Sequence, residues 1–84
     1  MKVYIIRYEE LCSGEYSSGI SYVFSTLEKA SIMLEEIKKD EIYAYADNER
    51  DIRDLIHNLI SENGFIIDYI DDYTKYVIEE MEVQ

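Results

Sequence analysis

The run from Tyr22 to Lys39, YVFSTLEKASIMLEEIKK, constrains the fold of this chain more than any other stretch. Tyr22, Val23 and Phe24 are strand-forming residues, and then the pattern changes. Ser25 followed three residues later by Glu28 is a capping-box signature, which predicts a helix start at Ser25 or Thr26. Leu27, Ala30, Leu34 and Ile37 recur at helical spacing with Met33 beside them. A helix with one apolar stripe needs a surface to cover. Strand-like runs lie on both sides of it in the chain, so a sheet is the expected surface.

Those runs can be taken in order. Lys2 to Tyr8, KVYIIRY, is a strand with two largely apolar faces. Glu9 to Gly19 is rich in Ser, Gly and Glu and reads as a loop. Ile20 to Ser25 is a second strand, with Ile20, Tyr22 and Phe24 on one face and Ser21, Val23 and Ser25 on the other. The first helix runs from Leu27 to Lys39, and Lys38 and Lys39 near its end complement the helix dipole. Asp40 to Asp47 fits either a short edge strand or a helical connection. A second helix is predicted from Glu49 to Glu62, capped by Asp47 or Asn48. Its stripe is Ile52, Leu55, Ile56, Leu59 and Ile60, and Asn63-Gly64 ends it as a left-handed cap. Phe65 to Ile70 and Lys75 to Val83 are third and fourth strands joined as a hairpin. The expected fold is α+β: one domain over residues 1–84, a four-stranded antiparallel sheet with two helices on one face, in the order β-β-α-α-β-β.

Composition narrows the function. Hydrophobic residues make up 48% of the chain, enough for a globular core. Nineteen acidic residues against eight basic ones give a net charge of -11. Such a domain repels phosphates and anionic membranes, so direct nucleic-acid or membrane binding is not expected. Its electrostatic complement is a basic protein surface; solubility alone also accounts for the charge. Cys12 is the single cysteine, which excludes an internal disulfide and fits a reducing, cytoplasmic setting. Val3 to Ile6 is too short an apolar run for a signal peptide, and Arg7 interrupts it.

Catalytic chemistry finds little support. His57 is the single histidine, and no serine or cysteine motif accompanies it; pairing with Cys12 would make the weakest reading, a small hydrolase. The charges nearest Cys12 in sequence are carboxylates, which disfavour a thiolate. Asp47, Glu49 and Asp51 imitate the start of a calcium loop. Ile52 and Asn58 stand where that loop needs glycine and glutamate. No glycine-rich phosphate loop is present. The expectation is a protein that is not an enzyme and takes no metal or cofactor.

The candidate partner-binding residues are the acids Asp68, Asp71, Asp72, Glu79, Glu80 and Glu82, with Tyr73 and Tyr76 among them and Lys75 the one base in that stretch. In a strand Glu80 and Glu82 share a face about 6.7 Å apart. That is sparser than the phosphate repeat of about 3.4 Å along one DNA strand but of the same order, which permits nucleic-acid mimicry. A solvated, charge-protected sheet edge accounts for the same acids. Tyr4, Tyr8, Tyr22, Tyr69 and Tyr76 fall in predicted strands, and a tyrosine-bearing sheet face left by the helices would suit a partner or a homodimer.

Lys2-Val3-Tyr4-Ile5-Ile6, then Val23-Phe24-Ser25-Thr26 with Glu28-Lys29-Ala30, resembles a family of small uncharacterised bacterial and phage domains. These open with a K-V-Y-hydrophobic strand and carry G-V-[FY]-S-[ST]-x-E-K-A ahead of a helix. Gly64-Phe65-Ile66-Ile67-Asp68 is similar to their later G-F-x-I-D strand. Tyr22 stands where the family usually has glycine, and Asp40 to Asn63 looks like an insertion. The resemblance covers about half the chain and carries no catalytic residues. It implies a phage setting, in which small acidic proteins often inhibit host defence, as anti-CRISPR and anti-restriction proteins do. The partner it implies is a host protein with a basic nucleic-acid-binding surface, such as a CRISPR effector.

Overall fold

In a computed structural model, residues 1–44, 55–59, 63–68 and 71–83 are described. They form β1 (Lys2–Cys12), β2 (Glu15–Phe24), α1 (Leu27–Ala44), β3 (Ile56–Leu59), β4 (Gly64–Asp68) and β5 (Tyr73–Glu82). The five strands make one antiparallel sheet in the order β2-β1-β5-β4-β3. The expected four strands and two helices are therefore corrected: among the described residues there are five strands and one helix.

Two local readings account for the difference. Glu9 to Gly19 is a hairpin, not a loop: β1 runs on to Cys12, Cys12 pairs with Glu15, and Ser13 and Gly14 make the turn. Their φ angles are 54° and 81°, the doubly positive pair that suits a two-residue hairpin turn. The second correction concerns the predicted helix Glu49 to Glu62. Residues 49–54 and 60–62, with the proposed caps Asp47 and Asn48, lie outside the described residues. Ile56 to Leu59 is an edge strand paired with Gly64 to Ile67. Ile56 faces Ile67 and enters the core, while His57 and Asn58 are exposed.

Asn63-Gly64 accordingly opens a strand and does not close a helix. Asn63 carries the positive φ, 50°, and Gly64 begins β4. A Cβ at Gly64 would run into the Tyr76 carbonyl oxygen and would lie 2.8 Å from Val77 Cα. Glycine is required there because the β5 backbone passes so close. The Asn63 carbonyl accepts the Ile78 N–H at 3.1 Å.

The helix begins as predicted but is capped one residue later. Thr26 Oγ1 accepts the Lys29 N–H at 3.2 Å, and the Ala30 N–H bonds the Thr26 carbonyl. It continues past Lys39 to Ala44, so Lys38 and Lys39 are interior and its last turn holds no base. Ala30 and Leu34 pack with Ile6, Ile78, Phe65 and Ile67 as the buried core, flanked by Met33, Ile37 and Ile42. Burying the core residues on this one face is the main source of stability. The opposite face of the sheet carries no helix among the described residues.

Candidate protein-binding surface

Because cross-strand partners share a face, the register sorts the strand side chains. On β1 the helix side takes Tyr4, Ile6, Tyr8 and Glu10, and the open side takes Val3, Ile5, Arg7, Glu9 and Leu11. The β1–β2 register shifts between Ile6 and Arg7, which pair with Tyr22 and Ile20 and leave Ser21 as an extra residue. That bulge divides β2. Tyr22 and Phe24 face the helix side, stacked with centroids 6.1 Å apart, whereas Ile20 lies opposite Arg7 on the open side. The single-face alternation expected for Ile20, Tyr22 and Phe24 is thus broken.

The tyrosines follow. Tyr4, Tyr8, Tyr22 and Tyr76 all share the helix side, and Tyr69 lies outside the described residues. Among the described residues, none of these four tyrosines stands on the open side. Tyr8 lies across Gly19, where a Cβ would meet its ring at 3.0 Å. Tyr76 packs on Phe65 at 5.4 Å, with Lys38 Nζ 5.9 Å from the far partner of that pair, the Phe65 ring. Among the described residues the tyrosines on the open side are Tyr73 and Tyr16, the latter 58% exposed.

Tyr76 donates its hydroxyl to Glu41 Oε1 at 3.5 Å. Partial burial, followed by the neighbouring Glu41 and Glu10 carboxylates, pushes its pKa up to about 12. Burial raises Glu41 above the usual carboxylate range, and Glu10 and Asp40 add to this; the Tyr76 hydrogen bond opposes it. The pair therefore pins the second half of α1 to the sheet and is no part of an exposed acidic surface.

The remaining acids are spread along β4 and β5. Asp68 is exposed, opposite Tyr73 on the open side. Asp71 is exposed in the β4–β5 connection. Asp72 Oδ1 accepts the Ser13 N–H at 3.1 Å and ties that connection to the β1–β2 turn. Glu79 is on the open side, its Oε2 2.7 Å from Arg7 Nε. Glu80 and Glu82 are on the other side, as neighbours two apart. Glu80 takes Lys2 Nζ at 3.3 Å and the Tyr4 hydroxyl at 3.4 Å, and Glu82 takes the N-terminal amine at 3.3 Å. Asp72 and Glu80 are separated by roughly 27 Å of strand. The predicted acids and tyrosines thus occupy two faces and both ends of β5, and do not converge on one cluster. No carboxylate among the described residues is buried, because every buried side chain there is apolar.

His57 and Cys12 are both exposed, on β3 at one edge of the sheet and at the β1–β2 turn by the other. The sheet order keeps them apart, so they do not form a catalytic pair. Among the described residues no group of three acids, histidines or cysteines could hold a metal ion, and no helix is long and apolar enough to cross a membrane. Asp47, Glu49 and Asp51 lie outside those residues. The sequence reading missed the exposure of β2, where Tyr16, Ile20, Tyr22 and Val23 are 44–59% accessible. The Ser13-Gly14 turn signal, read for what it is, would have revealed that strand. The chain matches no protein-family model, no curated protein and no solved structure.

Proposed function

We propose that this protein is a binding domain that docks, through its acidic surface, on a basic nucleic-acid-binding surface of a partner protein and thereby blocks it. The observation that carries this reading is electrostatic. The chain holds a net charge of -11, and no acidic side chain among the described residues is used up in the core. Among the described residues, the ion pairs of Met1, Lys2 and Arg7 are at the surface and weak, and the net charge of -11 already includes these cations. Such a field steers a basic partner and repels phosphates. That the partner belongs to a host defence system, such as a CRISPR effector, comes from the sequence resemblance and not from the geometry.

The test is capture from nuclease-treated host lysate, followed by elution with salt or with added DNA or RNA. A nucleic-acid-binding protein displaced by both is expected. Replacing Asp68, Asp71 and Glu82 by lysine should weaken its capture at least tenfold and leave the melting curve within a few degrees. Asp72 is spared because it holds Ser13. A partner that stays bound in high salt and ignores competing nucleic acid would refute the electrostatic reading.

A further inference from the structure

The strand β2 is one of the two outer strands of the sheet, and every residue in it except Gly19 and Phe24 is exposed. An outer strand offers a row of backbone N–H and C=O groups to any chain that can pair with it. Proteins usually guard such an edge with lysine, proline or an inward charge. Here the strand carries one charged residue, Glu15, at its very start. The Ser21 bulge is its other guard, and it protects only the second half. Tyr16 to Ile20 is left as a regular, unguarded run.

We infer that this run is a self-association edge, at which β2 pairs antiparallel with β2 of a second copy about a two-fold axis through Ser18. Three observations select a second copy over another occupant. The first is that the run is self-complementary. With the axis at Ser18, Tyr16 falls opposite Ile20 of the second copy and Ser17 opposite Gly19. Tyr16 and Ile20 both lie on the open side, 58% and 50% exposed, so the faces agree and two aromatic–aliphatic contacts form. The second is the charge. Two chains of net charge -11 repel nearly everywhere, yet in this register Glu15 meets Ser21 and no carboxylate faces a carboxylate across the new ladder. The third is length: the six residues Glu15 to Ile20 span about 20 Å of strand, room for a ladder between two copies. The dimer forms at high micromolar concentration, and its two-fold axis, normal to the sheet, sets both α1 helices on the same side of one continuous sheet.

This inference is independent of the proposed function, and salt tells the two apart. Screening weakens docking on a basic partner but strengthens pairing of two acidic chains. The experiment is sedimentation velocity across protein and salt concentration, with cross-linking to fix the register. Doubling of mass with protein concentration, promoted by salt, is expected. Ile20→Lys should abolish it without changing the melting curve. In a Cys12→Ser background, Ser18→Cys should be joined by a short thiol cross-linker many times faster than Ser17→Cys, which points to the other side. A monomer at high micromolar protein in high salt overturns the inference. A dimer that survives Ile20→Lys, or that links through both cysteines equally, overturns the edge or the register.

Discussion

Gly64→Ala is the sharpest test of the sheet described above. In a helix ended by Asn63-Gly64, the glycine would hold the left-handed conformation, and alanine there would cost about 1 kcal/mol. The structure gives a different reason for glycine: a methyl group would strike the Tyr76 carbonyl and sit 2.7 Å from Val77 Cγ1 and 2.8 Å from Val77 Cα. Two of those three obstacles are backbone, so β4 must move off β5. Overpacking of this kind costs about 1–3 kcal/mol. The Ile78-to-Asn63 hydrogen bond at the same point is lost with it, for about 1 kcal/mol more. The expected loss is about 2–4 kcal/mol, out of roughly 4–13 kcal/mol for a domain of this length. Far-ultraviolet circular dichroism should show Tm falling by about 10–25 °C. Asn63→Gly is the partner experiment. Asn63 holds φ at 50°, so glycine there should be within about 0.5 kcal/mol of wild type. A Gly64→Ala variant that melts like wild type, or an Asn63→Gly variant that is the worse of the two, would refute the close β4–β5 approach.

Four further outcomes follow from the side-chain contacts. Tyr76 titrates higher folded than unfolded, so its contribution is complete below pH 10.0 and is lost as pH rises through about 12. Tyr76→Phe should remove that alkaline loss and cost about 1 kcal/mol at neutral pH, read from urea midpoints. Glu41 is also raised, so its stabilising contribution is full below its unfolded pKa and fades as pH rises through the folded one; Glu41→Gln should flatten that fall. Asp72→Ala should cost about 0.5–1.5 kcal/mol of stability, read as a lower denaturant midpoint at unchanged slope, and should raise hydrogen exchange at the Ser13 amide it releases. A double-mutant cycle on Arg7 and Glu79 should give a coupling below about 1 kcal/mol that shrinks as salt is added.

What was legible in the sequence was local. The cap at Thr26, the stripe through Ala30 and Leu34, and the β4–β5 hairpin are each written within a few residues, and each is in the structure. What was not legible depended on which strands pair. Ile56 and Leu59 fit a helical stripe as well as a strand, and what decides between them is the edge of β4 waiting for a neighbour. Glu9 to Cys12 looked like loop by composition, but ten residues of β5 lie alongside β1 and extend it. The single-face alternation of Ile20, Tyr22 and Phe24 fails for a subtler reason. One extra residue at Ser21 reverses which side Tyr22 and Phe24 take, and a period of two cannot announce its own interruption. Nothing near Asp72 and Tyr76 in sequence shows that they are hydrogen-bonded, because their partners, Ser13 and Glu41, lie far along the chain.

The position of β5 has a consequence for how the chain reaches this state. It is made after the other strands, yet it is the middle strand, joined to β1 on one side and β4 on the other. Before it arrives, β2-β1 and β4-β3 are two separate ribbons with no strand in common, and α1 has only half a floor to lie on. Core formation must therefore wait for the end of the described chain to leave the ribosome. Long-range closure of this kind makes for slow folding and a period in which unpaired edges are open to aggregation. A ribosome stalled before Tyr73 would release two hairpins and a helix, not a partly stable domain. Circular permutation that fuses the neighbouring strands β1 and β5 through Met1 and Val83, already hydrogen-bonded at 2.7 Å, should shorten that wait and speed folding.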